Sequence, residues 1–171
     1  MTMKGKWAAG IPPRHLTWVL PEILAASERP GGQSATHRKV RRQEEIIWLK
    51  ENGFDVVISI LASSQNLAAY AELGLASSHH PVPTTGDPVP ALQQLYGEMV
   101  TRQRAGQRVL LHQDELGDFL IGVVAGYLIW TGRLDGAPMA TTVAEQLFGR
   151  QLGPQGRALT AVAAEMKRPG Q

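Results

Sequence analysis

The sequence of 171 residues contains no cysteine. Disulfides, thiolate zinc sites, iron–sulfur ligation and sulfur nucleophiles are all excluded by that, because each needs the sulfur atom itself. Aromatic residues are scarce at 6% and charged residues modest at 19%, against 43% apolar residues. That balance fits one packed globular domain and is far from a disordered or fibrous chain. Long apolar runs are lacking too. The longest, Phe119 to Trp130, has 12 residues, whereas a bilayer span takes roughly 20, so it is expected to be an enclosed helix and no membrane anchor. The opening MTMKGKWAAGIPPRH meets Pro12 and Pro13 instead of an apolar segment, unlike a secretory signal. A cytoplasmic protein is the expectation.

The net charge is +2, and its excess is local: Arg38, Lys39, Arg41 and Arg42 follow His37 within six residues. Such a run can meet phosphate or nucleic acid. No aromatic residue interleaves with it to stack bases, so the expectation is a solvated helix start, with nucleic-acid contact disfavoured.

Residues 1–15 read as an irregular lead-in, 16–168 as one domain and 169–171 as a tail. Short strands are predicted at Thr17–Leu20 and Ile23–Ala25, then a loop through Pro30, Gly31 and Gly32. Residues 40–52 place Val40, Ile46, Ile47 and Trp48 toward one side at helical spacing, with Gly53 as the stop. Phe54–Ile60 is a β-branched strand. A short helix over 66–73, a strand over 75–82 and a loop through Pro83 and Gly86 follow. Asp87 before Pro88 marks the start of a helix reaching Ala105, since Asp accepts from free N–H groups and Pro suits the first helical position. A strand at Arg108–His112, a turn at Gln113–Gly117 and helices near 118–131, 138–148 and 154–167 complete the chain. Gly122 and Gly126, four apart, permit close approach of a neighbour. Strands alternating with helices imply an α/β fold: three layers, α/β/α, around a mostly parallel sheet of four or five strands. Ligands in such folds bind beyond the carboxyl ends of the strands, where the turn Gln113–Gly117 lies.

The order of pieces is itself informative. The runs WVLPEILAASERPG (18–31), EIIWLKENGFDVVIS (45–59), HHPVP (79–83) and GQRVLLH (106–112) together resemble the dual-specificity branch of the cysteine-dependent protein phosphatases, over about residues 16–150. The resemblance implies that family's fold and a crevice built for a phosphate dianion. There a Cys thiolate attacks phosphorus, backbone N–H groups cradle the oxygens, an Arg grips them and an Asp protonates the leaving group. Its signature is H-C-x5-R. The aligned segment here is His112-Gln113-Asp114-Glu115-Leu116-Gly117-Asp118-Phe119, in which His112 alone matches. Gln113 stands for the nucleophile, Phe119 for the arginine and Thr84 for the usual acid after Pro-Val-Pro, with Asp87 three residues on.

The turn also has the wrong charge for a dianion. Residues 112–119 include Asp114, Glu115 and Asp118 and no Lys or Arg, and like charges about 4 Å apart repel by roughly 4 kcal/mol at an effective dielectric near 20. Phosphate binding is therefore disfavoured. Two readings of the acids remain open. In one, Asp118 or Asp114 caps the helix N-terminus and fills the space a phosphate left. In the other, His112, Asp114, Glu115 and Asp118 form a repurposed acid–base centre for a neutral or cationic small molecule. Consecutive Asp114-Glu115 is poor ground for a metal, and no metal or cofactor is expected. Gln113, Phe119, Asp87, Thr84 and Ser63 are the residues expected to line the crevice. His79 and His80, on opposite faces of a strand, cannot share an ion; one is expected buried and one exposed. The preferred reading is a catalytically inactive phosphatase-like protein, a binding or regulatory module for an unidentified protein or small molecule; the alternative is the repurposed enzyme.

Overall fold

A computed structural model describes residues 10–168. The described part of the lead-in, residues 10–15, is irregular but docked: Ile11 N donates to Glu44 O and Glu28 N to Arg14 O. The rest of the lead-in and the tail expected at 169–171 lie outside the described residues.

The strands are β1 (Thr17–Leu20), β2 (Leu24–Ser27), β3 (Val56–Ser59), β4 (Ala76–His79) and β5 (Val109–His112). The helices are α1 (Lys39–Glu51), α2 (Leu67–Glu72), α3 (Val89–Arg104), α4 (Asp118–Trp130), α5 (Ala137–Phe148) and α6 (Pro154–Glu165). The sheet order is β1-β2-β5-β3-β4. β1 runs antiparallel to β2 through a tight turn with Glu22 at φ 65°, and every other pairing is parallel. β5 sits centrally with Ser27, Ser59 and His112 in register. The carboxyl ends of β2, β3 and β5 therefore finish side by side, and their following loops must share one crevice.

Alternation along the strands sorts the core into two layers. Ala25, Val57 and Leu110 face α1 and α2, where Ile46, Leu49 and Tyr70 are buried. Leu24, Val56, Val109 and Leu111 face α3, α4 and α6. α4 is buried along its length because α5 covers its far side through Ile121, Ala125 and Ala140. Two glycines make this packing close. A Cβ on Gly122 would stand 2.6 Å from Gly156 Cα, and one on Gly126 would stand 2.6 Å from the Tyr96 hydroxyl.

One part of the helix pattern needs correction. Val40 is 66% exposed, and the buried face of α1 consists of Glu45, Ile46 and Leu49. A carboxylate at the centre of that face hid it from a reading based on apolar spacing. The histidine pair also differs from expectation, since both rings are half-buried. They do take separate partners: His79 Nε2 is 2.6 Å from Leu61 O, and His80 Nε2 is 2.7 Å from Glu98 Oε2. No described helix is long and apolar enough to cross a membrane.

Candidate functional site

The turn after β5 begins with a locked histidine. His112 is fully buried; its Nδ1 lies 3.0 Å from Gln113 O and its Nε2 2.9 Å from the Tyr70 hydroxyl. A carbonyl can only accept, so Nδ1 bears the hydrogen and Nε2 accepts from Tyr70. Burial drives the ring pKa down to about 4, opposed by the Gln113 carbonyl and assisted by the Arg29 cation. His112 is a neutral structural post at neutral pH. Asn66, in the left-handed region at φ 74°, extends this chain by donating to Tyr70 Oη at 3.3 Å and Pro30 O at 2.7 Å. Burial raises the Tyr70 pKa, so the phenol stays protonated as the donor that Nε2 needs.

Gln113 follows, half-buried, in the nucleophile's place. The acids beyond it reach different parts of the molecule. Asp114 turns to the β2–α1 loop, where both carboxylate oxygens are 3.2 Å from Ser34 N and from Ser34 Oγ. Glu115, exposed, accepts from Gln33 Nε2 at 3.3 Å. Asp118 reaches away from the crevice altogether. Its carboxylate accepts from Gly153 N at 2.5 Å and Gly156 N at 2.8 Å. It thus caps α6, whose own N-cap residue is the side-chain-less Gly153. The expectation that Asp118 or Asp114 would cap the turn's own helix is corrected accordingly: the N-cap of α4 is Gly117, with no side-chain cap, and both carboxylates find donors elsewhere.

Phe119, at the arginine position, is 6% exposed and packed in the core with α3, α4 and α6. Thr84 and Asp87 lie exposed on the β4–α3 loop. Asp87 Oδ1 accepts from Val89 N at 3.0 Å, and Thr84 O accepts from Gln155 Nε2 at 3.4 Å. Ser63 is exposed on the β3–α2 loop. The three loops of the crevice are present, but among the described residues no hydrogen bond or ion pair joins Thr84, Asp87 or Ser63 to the acids of the turn. Among the described residues there is no group of His, Asp and Glu side chains arranged to hold a metal ion.

The most consequential residue here, Arg29, escaped sequence reasoning. It is 3% exposed at the end of β2. Its Nε donates to Gly32 O at 3.1 Å and its Nη1 to Gln65 Oε1. The same Nη1 lies 3.5 Å from Asp114 Oδ1. One guanidinium thus ties together the loops after β2, β3 and β5, and the negative charge of the turn is partly neutralised from outside it. Behind it, Glu45 is fully buried; it accepts from Gly31 N at 2.5 Å and from Arg41 Nε at 2.7 Å. Burial raises the Glu45 pKa, while the Gly31 N–H and the Arg41 cation pull it down. Arg41 also lies 3.6 Å from Glu28. The basic run is therefore divided: Lys39 and Arg38 are exposed, whereas Arg41 turns inward to two acids. The signal available in sequence was the pair Glu28-Arg29 placed directly after the uncharged run Ile23–Ser27, a poor place for two charges unless both are partnered.

Comparison with known proteins places this geometry. No protein-family model matches the chain, and no curated protein matches it. Solved structures do. The kinase-associated phosphatase with its catalytic cysteine replaced by serine is similar with a TM-score of 0.70 at 19% identity, over 85% of this chain and 91% of that one. Human DUSP28 gives 0.64 at 17% identity, over 91% and 96%. The core catalytic domain of the PP-IP phosphatase SIW14 from S. cerevisiae, in complex with citrate, gives 0.66 at 16% identity, over 95% and 90%. The fold is that of the dual-specificity and related tyrosine phosphatases, in a chain without cysteine.

Proposed function

We propose that this chain is a phosphatase-fold protein without phosphatase chemistry, acting in the cytoplasm as a binding or regulatory module through the rim of the former phosphate crevice. One observation carries the reading. Gln113 replaces the nucleophile, and Asp114, Glu115 and Asp118 each have a donor from another part of the chain. A neutral amide cannot replace a thiolate. The Asp118 carboxylate is already engaged by two backbone N–H groups of another segment. The same arrangement gives no support to the repurposed acid–base enzyme, which needs an acid free to meet a substrate. The exposed rim residues Ser63, Thr84 and Asp87 are the surface such a module would offer.

Two assays test this. With para-nitrophenyl phosphate, wild-type protein is expected to release no more product than buffer; turnover abolished by Gln113→Ala or Asp114→Ala overturns the loss of chemistry. For the binding role, cross-linking in the source organism's own extract is expected to trap a defined partner lost on Ser63→Arg with Thr84→Arg. A chain that stays solitary, or whose partner ignores both changes, contradicts it.

A further inference from the structure

A second site lies at the opposite end of the sheet. A cleft of about 740 Å³ opens at the amino ends of β2 and β5, beside the carboxyl ends of α3 and α4. That size falls within the roughly 300–1,000 Å³ common for small-molecule sites. Arg104, Arg133 and Arg168 line it, and its one carboxylate, Glu22, is already paired with Arg108. Its apolar wall comprises Trp130, Ile23 and Val100. Ile23 is 41% exposed, a large aliphatic side chain left to solvent at the mouth of a cationic cleft.

The arginines have a simpler reading as partners of helix carboxyl ends, where cations complement the dipole. The hydrogen bonds argue against it. At the end of α3, Gly106 N donates to Gln103 O at 2.9 Å and Gln107 N to Arg102 O at 3.0 Å. At the end of α4, Gly132 N takes Ile129 O at 2.9 Å, Arg133 N takes Leu128 O at 3.0 Å and Thr131 Oγ1 takes Tyr127 O at 3.0 Å. The chain's own turns satisfy these carbonyls, and neither Arg104 nor Arg133 caps them. Arg104 makes no hydrogen bond or ion pair among the described residues, and exposed Arg133 reaches Gln103 Oε1 at 3.4 Å, beside the Tyr127 hydroxyl.

We propose that this cleft binds a small organic anion, an apolar body bearing a carboxylate, sulfonate or phosphate, gripped by Arg104 and Arg133 and seated on Trp130 and Ile23. It is separate from the phosphatase-like crevice and does not depend on the function proposed there.

The probe is 8-anilinonaphthalene-1-sulfonate, titrated into the full-length protein and followed by amide and indole NMR. Its neutral analogue N-phenyl-1-naphthylamine and methanesulfonate, an anion with almost no apolar body, serve as controls. One saturable site is expected, moving the Trp130 indole and the Arg133 amide, with affinity at least about tenfold above either control. Arg104→Ala with Arg133→Ala, both at exposed positions, is expected to lower it by about tenfold or more while leaving the spectrum of the free protein folded. Shifts scattered away from Trp130, no saturable binding, equal affinity for the neutral analogue, or full affinity in the double variant would each overturn the proposal. Should the double variant fail to fold, the wild-type shift map and the two controls decide.

Discussion

The two ends of the sheet treat charge in opposite ways. At the carboxyl ends, Arg29 pairs with Asp114 and Arg41 with Glu28 and Glu45, and several of these groups are withdrawn from water. At the amino ends, Arg104 and Arg133 stand exposed with little to hold. A charge with a structural duty is buried and has a partner. A charge without one is available to something outside the chain. The charges at one end are thus committed to one another, and the more exposed cations lie at the other.

The comparison can be broken most easily at Arg41. Arg41→Ala strips fully buried Glu45 of its cation, and the loss of one partner of a buried pair is expected to cost about 3–5 kcal/mol, read from urea melts. A cost below about 1 kcal/mol would mean that this end is no more structural than the other.

Acid tests the same end through His112. Its folded pKa of about 4 lies below the ordinary 6.5, so the unfolded chain binds the proton more readily. The contribution of about 3 kcal/mol is fully present above pH 6.5 and is lost as pH falls toward 4. Glu45 is shifted upward by burial, so it opposes this loss only where carboxylates titrate. His112→Gln is expected to flatten the stability profile over that interval; an unchanged slope would contradict the buried neutral ring.

Asp118→Ala removes the acceptor for Gly153 N and Gly156 N, and is expected to cost about 1–2 kcal/mol with hydrogen exchange rising first in α6. Unaltered stability would return Asp118 to the list of acids free for chemistry. The smallest effect is expected at the far end. Arg104→Ala with Arg133→Ala should shift stability by no more than about 0.5 kcal/mol, since neither side chain holds the fold together. A larger loss would erase the contrast.

Most of the secondary structure was legible because local signals agreed with the tertiary outcome. Gly53 and Gly74, at φ 78° and 72°, end their helices where the sequence placed them, and the enclosed α4 followed from an apolar run too short for a membrane. The charged residues were harder to read. Asp118 serves two amides more than thirty positions away, and no local pattern announces that. A Gly-Pro helix start at Gly153-Pro154 without its own capping side chain was the one hint that an acceptor must come from elsewhere. Arg29 was missed because charge was counted along the turn, whereas the register of β2 with β5 brings Arg29 to Asp114 across the sheet. The second cleft unites residues from the β1–β2 turn, α3, α4 and the segment after α6, a gathering that only the packed fold makes visible.

The central claim, that the acidic turn Gln113–Gly117 no longer takes an oxyanion, is tested most directly by titrating tungstate while following the backbone amides of Asp114 to Gly117 by NMR. The account expects these amides to stay unmoved at concentrations that saturate an active phosphatase fold. Saturable shifts confined to that turn would show that it still holds an oxyanion, and would contradict the account.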